Sequence, residues 1–391
     1  MIQAASLFNQ LLQHFPRTEF ATLVRKHDAE RGAKGFTCWA QLVAMLFCQM
    51  AHADSLREIC NGLACSLGKL VHLGIGVAPN KSTLAYANQH RPAKLYEELF
   101  YTALGRFRDE NGLGVRKQRF RFKNKLLSLD STTISLCLEM FPWAKFRRAK
   151  GGVKAHVLLG HDDYLPRYVL ITEARRSDVK MADAFPLNPG SIVVMDRGYN
   201  DYALFGKWTD EGIFFVTRLK DNAAYEVLAE GPIPANRNIR SDQLIQFTGE
   251  KAQKDCPSPL RRVVVWDAIG EREIVLLTNL QEFGSTTIAA IYKDRWEIEL
   301  FFKALKQNLK VKTFAGTSEN ALRIQIWTAL IAILLLKWLH HLSKARWSLS
   351  NLASMLRMNL FTCRDLTAWL DNPFGTPPLL PESRQLNLAL S

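Results

Sequence analysis

The chain has 391 residues, of which 48% are hydrophobic and 23% charged, so its composition is that of a globular protein with room for two or three domains. Its 51 Lys and Arg outnumber its 37 Asp and Glu, and the formal charge of +14 favours a polyanionic partner such as a nucleic acid. The seven cysteines are scattered and odd in number, which argues against both a disulfide scaffold and a zinc site of paired cysteines.

The first part of the chain, residues 1–112, is predicted to be helical because its apolar positions recur with a helical period. Two helices are predicted at 55–67 and 80–91, and the pair resembles a helix-turn-helix with a long connection. An ordinary pair of packed helices is the alternative. In a helix-turn-helix, DNA would be contacted by polar residues near the second helix: Lys81, Ser82, Thr83, Asn88, Gln89 and Arg91.

A basic segment, residues 111–125, marks a change of domain. Its Arg and Lys side chains alternate with Phe120 and Phe122, as in a strand with one cationic face or a basic linker along a nucleic-acid backbone. A solvated run of charge is the alternative. From this segment and the basic patch near residue 148, the residues predicted to bind DNA are Arg119, Arg121, Lys123, Arg147 and Arg148.

Several strands are predicted next. Residues 126–136 form a β-rich apolar run with Asp130 at its middle, and a charge inside a core strand is costly unless it has a partner or a function. The runs at 154–160 and 165–173 are expected to pair with it in one sheet. A short apolar strand then ends at Asp196, and helical and strand spacing alternate after it. This order predicts a mixed sheet flanked by helices.

Residues 221–286 are predicted to form a mainly β insertion. Two alternating runs, at 261–268 and 271–279, are separated by a short turn and indicate a hairpin. Trp266 in this hairpin could offer a stacking surface to a flipped base, and strand packing is the alternative explanation.

Residues 291–310 are predicted to form one amphipathic helix. On a helical wheel its polar face gathers Tyr292, Arg295, Glu299, Lys303, Lys306 and Lys310. The apolar face gathers Ile291, Ile298, Phe301, Phe302, Leu305 and Leu309. The polar face thus carries one carboxylate among cations, while Glu297 points the other way. A solvated polar face is the alternative to a functional one.

The C-terminal part is predicted to be helical. Its most apolar run, Ile326 to Leu336 within a helix at 321–343, is shorter than the roughly 20 residues that a bilayer span needs, so a buried core helix is expected. Two short helices are predicted at 347–372, the second capped by Thr362.

Three carboxylates, Asp130, Asp196 and Glu299, fall on three elements of the predicted sheet region. Such a set can hold two Mg²⁺ ions, because hard divalent cations prefer carboxylate oxygen and a pair of metals suits in-line phosphodiester displacement. For any single acid, a surface charge or a helix cap is the alternative. His156 could approach these metals, and a hydrogen-bonded structural histidine is the alternative.

One family matches this pattern. Tyr292, Arg295, Glu299 and Lys306 are separated by two, three and six residues, which resembles the signature of DDE transposases from bacterial insertion-sequence family four. Asp130 in LSLDSTTI and Asp196 in VVMDRGY resemble the first and second catalytic acids of that family. The N-terminal region and the β insertion are also similar to those enzymes, so the resemblance covers most of the chain.

The resemblance implies an α/β fold, in which an RNase H-like catalytic core is interrupted by a mainly β insertion. It also implies a helical N-terminal DNA-binding domain and a helical C-terminal region. The expected limits are 1–112 for the N-terminal domain, 113–220 for the first part of the core, 221–286 for the insertion, 287–345 for the second part of the core, and 346–391 for the C-terminal helices and tail.

The resemblance also implies a reaction. Asp130, Asp196 and Glu299 would be the catalytic residues and would bind two Mg²⁺ ions, with Mn²⁺ as a substitute. The enzyme would cut DNA at the ends of its element and join them to target DNA, with a hairpin as one excision route. Tyr292, Arg295 and Lys306 would hold DNA phosphates, assisted by Lys303.

The expected partners are double-stranded DNA, as terminal inverted repeats and as target, and a second copy of the chain in a synaptic homodimer. The N-terminus lacks the features of a secretory signal, and no membrane partner is expected. The expected location is the bacterial cytoplasm, in association with the nucleoid. Two alternatives remain open: a nuclease with the same core that performs no strand transfer, and a catalytically silent DNA-binding regulator derived from a transposase.

Overall fold

The computed structural model describes residues 5–66, 68–109, 112–113, 119–136, 145–147, 150–235, 237–308 and 316–378. The chain divides into two compact units. A helical unit combines Met1–Leu113 with Lys303–Ser391, and a sheet unit comprises Gly114–Phe302. The finer domain limits expected from the sequence stay predictions.

The helical unit contains α1 Leu7–Leu12, α2 Arg17–Lys26, α3 Cys38–Ala51, α4 Leu56–Ala64, α5 Lys81–His90, α6 Lys94–Asp109, α12 Glu319–Leu342, α13 Leu349–Asn359 and α14 Leu366–Asp371. Several of these helices begin at a Ser, Thr or Asp whose side-chain oxygen accepts a hydrogen bond from a backbone N–H, as Ser55 does in α4. The predicted cap of α14 was wrong. Asp365 caps it by accepting from the backbone N–H of Ala368, while Thr362 donates back to the end of α13.

Helix α12 lies at the centre of this unit, packed against α3, α5, α6 and α13. It is long and apolar enough to cross a membrane, yet 89% of its most apolar window is buried inside the protein. That burial fits the core helix expected from the sequence. The six described cysteines are free thiols.

Helices α4 and α5 form where the helix-turn-helix was expected, but two of its predicted DNA contacts were wrong. The side chain of Asn88 is buried, and its amide oxygen accepts a hydrogen bond from Gln41 at 2.8 Å. Arg91 is also buried and donates to Gln41 at 3.1 Å. These polar groups satisfy one another inside the helical core and are therefore not available to DNA. Lys81, Ser82 and Gln89 remain exposed.

The sheet unit contains the strands β1 Leu126–Leu136, β2 Lys145–Arg147, β3 Lys150–Gly160, β4 Pro166–Glu173, β5 Ile192–Met195, β6 Phe214–Arg218, β7 Tyr225–Glu230, β8 Ile239–Phe247, β9 Leu260–Asp267 and β10 Arg272–Thr278. Its helices are α7 Asp178–Ala182, α8 Tyr202–Asp210, α9 Glu250–Asp255 and α10 Ser285–Asp294. Helix α11, Trp296–Asn308, begins in this unit.

All described strands belong to one mixed sheet. Strand β3 pairs antiparallel with both β1 and β4, and β5 lies parallel to β1 on its other side, with β6 parallel to β5. The spatial order is therefore β4, β3, β1, β5, β6. The predicted hairpin is β9 and β10, and β10 pairs with β6. Strands β10, β9, β8 and β7 thus extend the same sheet beyond β6 instead of forming a separate one.

The helix predicted at 291–310 is two helices, α10 and α11, which meet at Arg295. The backbone tightens there, because Arg295 N–H donates to the carbonyl of Tyr292 and Ile298 N–H donates to that of Arg295. Ile291, Ile298 and Phe301 are buried, as the amphipathic pattern predicted. Residues 309 and 310 lie outside the described residues.

The two faces of β1 belong to two apolar clusters. Leu127 and Leu129 face a cluster that includes residues of α8, while Leu126 faces a cluster that includes Ile288 and Ile291 of α10. Successive side chains of a strand alternate between faces. Asp130 therefore lies on the face that is covered by α10.

Candidate active site

Asp130 and Asp196 are neighbours across two parallel strands. The β1–β5 register pairs Leu129 with Met195, and continuing it by one residue places Asp130 beside Asp196. Adjacent strands are about 4.8 Å apart, and residues in register face the same side. The backbone of Asp196 is still extended before the 3₁₀ turn Arg197–Tyr199 begins. The fold therefore brings the first two predicted acids together.

Arg295 connects the third acid to the first. Its Nη2 donates to Oε1 of Glu299 at 2.7 Å, and its Nη1 lies 3.6 Å from Oδ2 of Asp130. The side chain of Arg295 is only 12% exposed, while those of Asp130 and Glu299 are 21% and 34% exposed, so the guanidinium is largely buried and its partners are partly open to water. Burial alone would lower the pKa of Arg295, but Tyr292, Glu299 and Asp130 together raise it. One guanidinium thus contacts two of the three carboxylates.

The environment of Asp130 disfavours its charge. Burial raises the pKa of its carboxyl from 3.8 to about 6, against the opposing effects of a hydrogen bond from Ser131 N–H and the charge of Arg295. The negative charges of Asp196 and Glu299 raise the pKa further. Both other carboxylates therefore act on Asp130, and the site has more negative charge than Arg295 alone compensates.

The carboxylates do not form a closed metal cage as they stand. Among the residues that the structure describes, no three His, Cys, Asp or Glu side chains are close enough to hold a metal ion. At the triad a guanidinium contacts Asp130 and Glu299 where a cation would bind. The donor set itself suits Mg²⁺ or Mn²⁺, because it consists of carboxylate oxygens with a deficit of positive charge.

The other residues of the predicted signature lie on the same two helices, α10 and α11. The guanidinium of Arg295 lies over the Tyr292 ring, 5.5 Å from its centroid, in a cation–π geometry. Tyr292 is half-buried at the end of α10. Farther along α11, Lys303 is exposed and Lys306 is half-buried. The tightened turn at Arg295 does not separate Tyr292, Arg295 and Glu299.

The predicted DNA-binding cations of the basic segment divide into two groups. Arg119 pairs with Asp294, so its guanidinium already has a carboxylate partner. Arg121 and Lys123 are exposed. Between them, Phe122 stacks on Phe120 at 5.1 Å and packs against a core cluster. The expected alternation is present, but residues 119–125 form bends and not a strand.

The second basic patch can be placed only in part. The backbone of Arg147 lies in β2, which pairs with β3. Arg148 lies outside the described residues. The prediction that these two residues bind DNA therefore stays a prediction.

The sequence does not decide between a functional and a structural role for Trp266 and for His156. Trp266 lies in β9, half-buried, with the Arg240 guanidinium 5.5 Å from its ring centroid. His156 is fully buried in β3, where its Nε2 lies 3.0 Å from the Thr172 hydroxyl. Burial lowers the pKa of His156 to about 4, so it is neutral at pH 7. We therefore interpret His156 as a hydrogen-bonded structural histidine.

Asp294 is a buried acid that was not among the residues predicted from the sequence. This residue ends α10 and is buried, with its carboxylate held by His161, Tyr164 and Arg119. A signal was present, because Asp294 is three residues after Ile291 and four before Ile298, in the apolar stripe. A carboxylate in such a stripe must have buried partners.

The raised pKa of Asp130 leads to a prediction about stability. A carboxyl whose pKa is raised in the folded state stabilises the protein fully below about pH 4, and this contribution is lost as the pH rises through about 6. We therefore expect Asp130→Asn to increase the free energy of unfolding at pH 8 by roughly 1 to 3 kcal/mol when no metal is bound. The difference should shrink toward pH 4.

Thermal unfolding in EDTA across this pH range measures the effect. Glu226→Gln, which changes an exposed acid on β7, is the control and should leave the stability nearly unchanged. A variant less stable than the wild type at pH 8 would show that the Asp130 charge is well compensated in the fold.

The sequence is similar to families and proteins that are already known. Residues 121–335 match a family model described as a transposase DDE domain, and residues 3–76 match a domain of unknown function, DUF4372. A relative from Sinorhizobium fredii (strain NBRC 101917 / NGR234) is named as putative transposase y4zB. It is 31% identical over 313 residues, which cover 79% of this chain and 84% of the relative.

Another relative comes from Geobacillus stearothermophilus and is named as a probable transposase for insertion sequence element IS5377. It is 33% identical over 235 residues, which cover 60% of this chain and 62% of the relative. Among solved structures, a piggyBac transposase synaptic complex with hairpin DNA aligns with a TM-score of 0.44 and 10% identity, over 91% of this chain and 79% of that one. The family model spans the strands and helices that carry Asp130, Asp196 and Glu299. The chain belongs to the DDE transposase family.

Proposed function

We propose that this transposase cuts DNA at the ends of an insertion sequence and joins them to target DNA, with Asp130, Asp196 and Glu299 as its catalytic residues. One observation carries the assignment: the register of the adjacent parallel strands β1 and β5, continued by one residue, places Asp130 beside Asp196, and Arg295 joins Glu299 to Asp130. These residues stand on three different elements of one unit. Their convergence is what a phosphoryl-transfer site requires.

We assign the five strands β4, β3, β1, β5 and β6 to an RNase H-like core. Three antiparallel strands followed by two parallel ones, with β1 at the centre, support this assignment. In such a sheet the acids stand on the central strand and on the adjacent parallel strand. The β insertion would then occupy 221–286, between the second acid and α10.

The carboxylates of Asp130, Asp196 and Glu299 would hold two Mg²⁺ ions, with Mn²⁺ as a substitute. Burial is the main cause of the raised pKa of Asp130, and the negative charges of Asp196 and Glu299 add to it, which supports a site that a cation would neutralise. Bound metals would supply Lewis acidity and charge neutralisation at the scissile phosphate. Arg295 would be released from its two carboxylates to hold a DNA phosphate, because a guanidinium matches phosphate oxygens well.

We propose double-stranded DNA as the partner, both as terminal inverted repeats and as target. Tyr292, Lys303 and Lys306 would bind phosphates near the cut, and Arg121 and Lys123 would bind backbone farther away. Joining two ends implies a homodimer in the synaptic complex. The helical N-terminal domain would contribute DNA binding through its exposed cations, and the protein would act on the cytoplasmic nucleoid.

The experiment uses the full chain and a labelled duplex carrying its element's end. We expect cleavage and strand transfer with Mg²⁺ or Mn²⁺, and binding without cleavage in EDTA or Ca²⁺. A duplex with a scrambled terminal repeat is the matched control and should be neither bound specifically nor cut.

Other outcomes identify the two alternatives. Cleavage without any joined product, at protein concentrations that pair two ends, would indicate a nuclease. Specific binding of the end with no cleavage in either metal would indicate a regulator. Either result would overturn the proposal of a transposing enzyme.

A further inference from the structure

Asp294 is a buried acid outside the proposed catalytic set. Its side chain is 1% exposed, at the last residue of α10 and directly before Arg295. A carboxylate in this position is costly unless several partners stabilise its charge. The fold therefore has to hold Asp294 by specific contacts.

Three side chains supply those contacts. Nδ1 of His161 contacts Oδ2 of Asp294, and Nη1 of Arg119 contacts Oδ1. The Tyr164 hydroxyl donates to the same carboxylate at 3.2 Å. Burial alone would raise the pKa of Asp294, but the hydrogen bond and charge of His161, followed by the charge of Arg119, lower it below its ordinary value. The carboxylate is consequently ionised and fixed in place.

His161 continues the contact to β1. Its Nε2 lies 2.7 Å from the hydroxyl of Ser128, and its backbone N–H donates to the carbonyl of Leu126. Ser128 is fully buried and stands two residues before Asp130 on the same face of the strand. A continuous chain of polar contacts therefore links Asp294, beside Arg295, to the strand of Asp130.

The turn between β3 and β4 delivers two members of this network. It contains both His161 and Tyr164, and Tyr164 has a φ of 52°, in the left-handed region that non-glycine residues rarely adopt. Such a conformation persists where the surrounding structure determines it strongly. The contacts of Tyr164 and His161 with Asp294 hold the turn in this conformation.

We propose that Ser128, His161 and Asp294 are positioning residues that hold the α10–α11 junction against β1 and so set Glu299 and Arg295 relative to Asp130. This inference rests on the proposed function of the triad. The order Ser, His, Asp resembles a hydrolase triad, but the Ser128 hydroxyl is buried in the sheet and reaches no substrate. The network acts through the residues that it places.

The test compares Asp294→Asn with the wild type in the full chain. We expect the dissociation constant for Mn²⁺, measured by electron paramagnetic resonance without DNA, to rise at least tenfold. Cleavage at saturating DNA should slow about 10- to 100-fold, while the affinity for the element end changes less than twofold. Ser128→Ala should move the same quantities in the same direction and add little to Asp294→Asn, because both break one network.

Asp242→Asn is the matched control. Asp242 is also a buried acid, 2% exposed and paired with Arg261 at 2.6 Å, but it stands on β8 and contacts none of the triad. It should lower the melting temperature without changing Mn²⁺ affinity or the rate of cleavage. If Asp294→Asn behaves like Asp242→Asn in all three measurements, its role is structural and the proposal is wrong.

Two further results keep the test decisive. If Asp294→Asn fails to fold, Tyr164→Phe replaces it, because this variant removes a single hydroxyl from the network. Unchanged Mn²⁺ affinity in both Tyr164→Phe and Ser128→Ala would overturn the proposal. If the wild type itself neither binds Mn²⁺ nor cuts DNA, the function proposed for the triad fails first. The two failures are therefore distinguishable.

Discussion

Replacing Glu299 with Gln is expected to reduce cleavage of the element end by about 1000-fold or more, while binding of that end persists. Gln keeps the size of the side chain and can still accept a hydrogen bond from Arg295, but it loses the negative charge that a divalent cation requires. Cleavage of a labelled duplex in Mg²⁺, at protein concentrations that give equal binding by gel shift, measures the effect.

Glu297→Gln is the control for this prediction. Glu297 is on the same helix two residues earlier, and a helical wheel turns it away from Glu299. Its replacement should leave cleavage within about threefold of the wild type, because it removes equal charge at no catalytic position. If both variants cut equally well, Glu299 is not the third acid and the triad must be assigned again.

Much of this site could be predicted from the sequence, because each acid has a strong local signal. Asp130 interrupts an apolar strand, Asp196 ends another, and Glu299 is separated from Arg295 by one helical turn. Strand and helix periodicities fix on which face such residues lie. The structure accordingly has Asp130 beside Asp196 and Arg295 paired with Glu299.

The break at Arg295 could not be predicted in the same way. The apolar stripe continues through 291–310 without Pro or Gly, so periodicity alone predicts one helix. At the break, the carboxylate of Asp294 pairs with His161, and the guanidinium of Arg295 lies beside Asp130. Tertiary contacts of this kind link residues that are distant in sequence, and local patterns do not encode them.

The same limit applies to polar residues of the helical unit. Asn88 and Arg91 look like solvent-facing DNA contacts in the sequence, because polar side chains are mostly exposed. Each finds Gln41 as a partner inside the core, which no pattern along the second helix predicts. The extension of the central sheet by β10 is a similar case, since a hairpin signal does not say which strand it pairs with.

Arg295 gives the second large effect, because its two proposed roles predict changes of opposite sign. In the absence of DNA its guanidinium occupies Asp130 and Glu299, so it competes with a divalent cation for their oxygens. We expect Arg295→Ala to tighten Mn²⁺ binding by about tenfold in the DNA-free protein. The same variant should cut the element end about 100-fold more slowly, because a phosphate contact is lost.

Mn²⁺ titration followed by electron paramagnetic resonance and single-turnover cleavage measure the two effects on the same preparation. Lys293→Ala, which removes an exposed cation two residues away, is the control and should leave Mn²⁺ affinity unchanged within about twofold. Arg295→Lys should fall between Ala and wild type in cleavage, since Lys keeps the charge and loses the bidentate geometry.

Weaker Mn²⁺ binding by Arg295→Ala would mean that the guanidinium organises the carboxylates for the metal instead of competing with it. In that case the ion pairs of Arg295 belong to the catalytic geometry itself, and its assignment as a phosphate-binding residue would have to be withdrawn.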